Sequence, residues 1–202
     1  KEYHKFKDWF NENGLDFDCY HTACSAASLS YPETIMDMVR IGIAQYGFWP
    51  SQETYMFKFK QLDPNKKNPL KRLISWKSKI MSLKKIKIGD FIGYGNTYMA
   101  SRDMVIAQVP VGYCHGFGRS LSNLGKVLIH GKVLAVVGNV TMNSISVDVT
   151  DLKEVKKNDD VVIIGRQKRN EITVASFGES TQQVNYELLT RLPHDIPRKI
   201  VT

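Results

Sequence analysis

The sequence predicts an α+β protein built in two parts. Residues 1 to about 50 follow the order helix–strand–helix–strand, the pattern of α/β units. Residues 73–202 are a succession of short strands separated by turns, the pattern of a barrel-like or sandwich-like β-domain. Between them, residues 51–72 are polar and carry Asp63-Pro64-Asn65 and Asn68-Pro69, which marks a linker with turns.

Each element has a local cause. Tyr3, Phe6, Trp9 and Phe10 recur at three- and four-residue spacing, so residues 1–13 form an amphipathic helix that Gly14 is placed to stop. Leu15 to Ala23 is expected as a strand, and Ser25-Ala26-Ala27-Ser28 suits a helix start that Pro32 interrupts. Met38 to Tyr46 is mostly apolar, as a strand buried on both faces of a parallel sheet would be. In the second part, Ile74, Trp76, Ser78 and Ile80 share one face of an alternating strand. Val105 to Val111 is an apolar strand interrupted by Gln108. His130-Gly131 and Asn170 fall at hairpin turns, and Ile145, Val147 and Val149 alternate with Ser144, Ser146 and Asp148. There is no internal repeat.

Composition narrows the class. The chain has 202 residues, of which 43% are hydrophobic and 24% charged, an ordinary soluble balance. No apolar run approaches the roughly 20 residues of a membrane span. Lys1-Glu2-Tyr3-His4-Lys5 has no secretory apolar core and no methionine, so an internal or truncated start and a cytoplasmic location are expected. The net charge of +8 suits an enzyme with an anionic ligand better than a nucleic-acid binder. The lysine clusters at Lys66-Lys67, Lys77 to Lys87 and Lys153 to Lys157 accompany no nucleic-acid motif. Cys19, Cys24 and Cys114 are odd in number and lack paired spacing, which fits a reducing compartment. His21-x-x-Cys24 has no second ligand pair, so no metal site is expected.

Three segments carry chemistry. A phosphate needs backbone N–H donors, small residues and a hydroxyl. Ser25-Ala26-Ala27 after one strand and Gly42-Ile43 after the next supply these, with Arg40 just ahead. Singly, such segments are most often a helix start, a packing glycine and a strand-end ion pair. The third is Val109-Pro110-Val111-Gly112-Tyr113-Cys114-His115-Gly116-Phe117-Gly118-Arg119, a strand ending in a glycine-framed tyrosine turn. A tyrosine in such a turn is commonly only packed over glycine.

Taken in order with His21-Thr22-Ala23-Cys24 and Asp37-Met38-Val39-Arg40-Ile41-Gly42-Ile43, these segments resemble the C-terminal part of the alanine racemases, enzymes dependent on pyridoxal phosphate (PLP). The resemblance runs from about residue 15 to the Pro197-Arg198 ending. It includes Gly89-Asp90-Phe91-Ile92-Gly93-Tyr94-Gly95 at the start of the β-domain. It implies the last strands and helices of a TIM (β/α)8 barrel in residues 1–50, followed by a mostly-β domain in residues 73–202. It implies that Ser25, Gly42, Ile43 and Tyr186 hold the PLP phosphate. Arg40 would face the pyridine nitrogen, supported by His21. Tyr113 would be one of two catalytic acid/bases, working on opposite faces of the substrate carbon. A free phenol titrates near pH 10, so such a tyrosine needs positive neighbours. The other base is the family's Schiff-base lysine, whose Lys-Ala-x-Ala-Tyr-Gly-type segment has no counterpart here. The family's homodimer implies a second copy as partner, with Tyr113 and Met142 reaching its site, and a small amino acid as substrate.

Departures from the family pattern lie around the tyrosine and the phosphate serine. Cys24 stands where asparagine is usual. Cys114 and His115 replace alanine and aspartate, and Asn139 and Asn143 replace an arginine and an aspartate. They leave open alanine or another substrate such as serine, and also a non-catalytic PLP-binding or dimerisation module. A decarboxylase is disfavoured by Arg40, because decarboxylation benefits from a protonated pyridine. Without the lysine, the 202 residues alone are expected to be inactive. With unpaired strand edges they are also expected to be poorly stable.

Overall fold

The computed structural model describes residues 2–15, 17–57, 68–181 and 185–201. The chain divides into two compact units, residues 1–73 and 74–202.

In the first unit, helix α1 (Glu2–Glu12) ends where Gly14 adopts φ +70 and the Leu15 amide donates back to the Phe10 carbonyl at 2.9 Å. Only glycine enters this left-handed region without cost. Strand β1 (His21–Cys24) runs directly into helix α2 (Ser25–Ser30), and β2 (Met38–Arg40) lies parallel to β1, pairing His21 with Met38 and Cys24 with Arg40. Asp37 fixes the start of this pair: its carboxylate accepts from the Tyr20 amide at 2.9 Å and its own amide donates to the Tyr20 carbonyl at 3.1 Å. Helix α3 (Gln52–Tyr55) begins at Ser51, whose hydroxyl accepts from the Thr54 amide, a standard N-cap.

Both strands are shorter than the sequence suggests. Residues 17–20 form no strand; there Phe17, still half-exposed, meets Phe10 and Tyr20 edge-on at 5.3 and 6.0 Å. After Arg40 the chain leaves the β region at Gly42 (φ −106, ψ −95), and Ile43–Tyr46 form a 3-10 turn closed by Gly47 at φ +81. Nor is β2 buried on both faces: Met38 and Arg40 are exposed. The expected linker contains α3; Asn68-Pro69 is irregular chain, and Asp63-Pro64-Asn65 lies outside the described residues. Helix α1 touches Phe17 and Tyr20 through Phe10, Asn11 and Lys7, yet it buries no residue, and Phe6 and Trp9 are 63% and 52% exposed.

The second unit is antiparallel β. Its strands are β3 (Trp76–Lys79), β4 (Ser82–Ile86), β5 (Met104–Val109), β6 (Lys126–Ile129), β7 (Lys132–Ala135), β8 (Ile145–Asp148), β9 (Asp160–Gln167) and β10 (Asn170–Ile172). One sheet has the order β10-β9-β6-β7 with β3 also paired to β9, and the other the order β4-β5-β8. A Val136–Val147 bridge joins the two sheets. Alternating and continuous apolar strands fill the core: Val127, Leu128, Ile129, Ile163, Ile164, Val109 and Ile145 are buried. Phe117, fully buried, packs edge-on against Trp76 at 6.4 Å and Phe177 at 5.7 Å. Ile74 precedes β3, and Pro110 and Val111 lie beyond β5, so these two strands are also shorter than read from sequence. Proline has no N–H to give a neighbouring strand, which accounts for the end of β5 at Val109. Helices α4 (Val174–Thr181) and α5 (Asn185–Arg191) follow the last hairpin and were not expected. Among the described residues no helix is long and apolar enough to cross a membrane.

Candidate functional site

The first centre sits at the ends of β1 and β2. Because the strands are parallel, both chains leave the sheet on the same side, which brings Ser25 beside Gly42. Ser25 is buried, and its hydroxyl accepts a hydrogen bond from the Gly42 amide at 2.9 Å. Ile43 follows, buried at the head of its 3-10 turn. Hydroxyl and amide donors thus converge in a corner with small side chains, a fit to a phosphate.

Charge preference agrees with that fit. The Ala27 amide, then the Ala26 amide, hold the Cys24 thiol below its ordinary range; partial burial opposes them, and Arg40 adds a smaller pull. The corner therefore favours negative charge. Arg40, on β2, donates through Nη2 to the Thr22 carbonyl at 3.3 Å. His21 lies one residue before Thr22, and its Nδ1 is buried without a partner among the described residues. A buried imidazole nitrogen without a partner is one a ligand could complete.

The second centre is a turn in the β-domain. Tyr113–His115 form one 3-10 turn between Gly112 and Gly116, the latter at φ +96. The Tyr113 amide donates to the Thr141 carbonyl at 3.0 Å and the Cys114 amide to the Met142 carbonyl at 2.9 Å. These bonds place Tyr113 and Met142 side by side although they are distant in sequence. The approach is so close that a Cβ on Gly112 would lie 2.2 Å from the Thr141 carbonyl oxygen, so glycine is required there. Tyr113 and Met142 are 43% and 59% exposed and line a cavity with Tyr94, Arg119, Asn139 and Asn143. Behind Met142, the Thr141 hydroxyl donates to the Ser144 carbonyl at 2.9 Å. Asn139 donates its side-chain amide to the Tyr94 carbonyl at 2.7 Å. Tyr186 is on α5 in the same unit, one residue before Glu187, which pairs with Arg191.

The residues expected from sequence therefore gather as two sets. His21, Ser25, Arg40, Gly42 and Ile43 belong to the first unit, and Tyr113, Met142 and Tyr186 to the second. Sequence reading missed Arg119, which lines the Tyr113 cavity, and the use of His115 as a hydrogen-bond acceptor for the Gly112 amide at 3.1 Å. The signal for the latter was its place three residues after Gly112, the spacing at which a side chain reaches back to cap a turn. No group of three or more His, Cys, Asp or Glu side chains able to hold a metal occurs among the described residues.

Comparison with known proteins gives a consistent answer. Residues 1–50 match the family model of the alanine racemase N-terminal domain, and residues 73–200 that of the C-terminal domain. The alanine racemase of Leptospira interrogans is 38% identical over 90% of this chain and 46% of its own length. That of Halothermothrix orenii is 35% identical over 98% of this chain and 51% of its own. The crystal structure of alanine racemase from D-cycloserine-producing Streptomyces lavendulae superposes with a TM-score of 0.85 at 30% identity, covering 97% of this chain and 49% of that one. The chain thus spans about half the length of the curated relatives it matches. With one family model covering residues 73–200 and a second covering 1–50, the chain belongs to the alanine racemase family.

Proposed function

We propose that the chain supplies the tyrosine side and part of the cofactor cradle of a PLP-dependent racemase that interconverts L- and D-alanine. The observation that carries this reading is the Tyr113 turn. An exposed phenol is fixed by main-chain hydrogen bonds beside Met142 at the mouth of a polar cavity.

The cradle residues would act as donors. Ser25 Oγ and the Gly42 and Ile43 amides would bind the cofactor phosphate, joined by the Tyr186 hydroxyl. Arg40 carries only donors, so toward a ring nitrogen it can give a hydrogen bond but cannot take up or share a proton. When bound, PLP supplies the conjugated system that accepts the electrons left as the substrate Cα–H proton departs. Arg40 keeps that withdrawal moderate, which favours returning the proton over transamination or decarboxylation. Tyr113 Oη would remove or return the proton on one face of the substrate carbon. A lysine outside these 202 residues would serve the opposite face, and Met142 would pack against the substrate. A second copy of the protein would receive Tyr113 and Met142 in its own site. Alanine is the reading for substrate, with serine the next candidate.

Replacing Tyr113 by Phe in the protein that carries the lysine tests this. Racemisation in at least one direction should fall about 10²- to 10⁴-fold, the usual contribution of a general acid/base. Unchanged rates in both directions would remove Tyr113 from the chemistry.

One observation favours a second reading, a PLP-binding or dimerisation module without catalysis. The Asn139 side-chain amide is engaged with the Tyr94 carbonyl, where the family pattern has an arginine. Such a module would bind PLP and dimerise, yet show no racemisation and no response to Tyr113→Phe.

A further inference from the structure

We propose that His115 is a positioning residue for Tyr113, acting through a hydrogen-bond acceptor that only the neutral imidazole offers. Its catalytic consequence rests on the racemase reading above; the clasp itself rests on geometry alone.

His115 closes the turn on the residue immediately before Tyr113. The His115 amide donates to the Gly112 carbonyl at 2.9 Å, and the Gly112 amide donates to His115 Nδ1 at 3.1 Å. Phe117, the buried aromatic of the β-domain core, donates its amide to the same Gly112 carbonyl at 3.2 Å. A backbone N–H can only donate, so Nδ1 must carry the lone pair and the ring proton must sit on Nε2. The Cys114 sulfur lies 3.3 Å from Nδ1 and 3.6 Å from Nε2, beside the same nitrogen.

Protonation places an N–H on Nδ1, pointing at the N–H of Gly112. One hydrogen bond is lost and two donors are opposed. Gly112 has no room to recoil, because the Thr141 carbonyl and the Met142 main chain already stand within what would be Cβ contact. The strain is relieved by the imidazole swinging out, which opens the turn that holds Tyr113. An aspartate at this position, usual in the family pattern, keeps an acceptor across the whole range in which imidazoles titrate.

Few charged groups surround the ring. On its own turn the titratable neighbours are Cys114 and Tyr113. The Thr141–Ser144 segment presents no ionisable side chain, while Arg119 and Tyr94 share the cavity wall with Tyr113. The chain packed on Gly116 brings the Arg191 carbonyl, with the Arg191 side chain paired to Glu187. His115 forms no ion pair among the described residues.

The test is amide hydrogen exchange of the full chain between pH 8 and pH 5, each rate divided by that of an unstructured peptide at the same pH. Protection of the peptide spanning Gly112–Gly116 should fall roughly three- to tenfold on acidification, the size of one lost hydrogen bond. In His115→Asp it should stay constant. Flat protection in the parent chain, or an equal fall in His115→Asp, overturns the proposal. Should His115→Asp fail to fold, the parent titration decides alone. In the protein carrying the lysine, the acid limb of kcat should flatten in His115→Asp. If the exchange changes as expected but Tyr113→Phe leaves racemisation intact, the racemase reading fails and the clasp stands. Activity lost in Tyr113→Phe with flat exchange gives the converse.

Discussion

The two units solve the burial problem differently. The β-domain closes on itself: Val127, Leu128, Ile129, Val161 to Ile164, Val109 and Ile145 are buried, Ile106 packs in a cluster with Ile86, Ile92, Ala100, Met104 and Val137, and Phe117 meets Trp76 and Phe177 edge-on. Among its described residues the first unit pairs only two short strands, and it leaves Phe6, Trp9, Leu15, Phe17, Ile35 and Met38 exposed. Exposed apolar side chains in this number mark surface suited to being covered. The tyrosine turn therefore rests on a scaffold with a core of its own, while the Ser25–Gly42 corner rests on one that buries little.

Perturbing each side should expose that contrast. Phe117→Ala, deep in the β-domain, should cost about 3–5 kcal/mol in chemical denaturation, as large-to-small changes at buried aromatics do. If it costs under about 1 kcal/mol, the core does not depend on that aromatic lock. Gly112→Ala should come next, at about 1–3 kcal/mol, because the added carbon must displace main chain rather than a side chain. It should also disturb Tyr113, seen as altered exchange at the 113–116 amides. Trp9→Lys on α1 should shift stability by no more than about 0.5 kcal/mol, the range of surface changes. It should also raise solubility; a larger loss would mean that α1 is covered within the chain.

The smallest effect concerns acid. Burial pushes the Asp159 carboxyl up, but the Lys156 amide and His130, the latter at 2.8 Å, outweigh it and hold the group below its usual range. A depressed carboxyl contributes stability above its unfolded value near 3.9. That contribution is lost as pH falls through the lower folded value. Melting temperatures from pH 6 to pH 3 should therefore drop more steeply in the parent than in Asp159→Asn. Parallel curves would contradict the pairing.

Much of the β-domain was legible because burial there is local. Ile145 and Val147 alternate with residues of the other face, and His130-Gly131 supplies a turn with φ +53 and +81. Helix α1 was equally plain from its aromatic spacing. Strand lengths in the first unit were not legible, since an apolar run such as Met38 to Tyr46 has no internal mark where pairing stops. Only the φ/ψ of Gly42 sets the break. Helix α4 was hidden by its Ser, Thr and Gly content, and forms because Val174 and Phe177 are buried. At the site, the Ser25–Gly42 contact followed from two motifs at successive strand ends. The part played by His115 did not, because the residue type suggests acid/base chemistry and only the folded turn brings Nδ1 to the Gly112 amide.

The main-chain bonds from Tyr113 and Cys114 to Thr141 and Met142 have an evolutionary consequence. They specify where the phenol stands without calling on any side chain at positions 114, 139 or 143. Changes of charge and size at those positions thus leave the main chain of Tyr113 in place. A lineage can change the chemistry of the surrounding surface there without rebuilding the loop that carries the tyrosine.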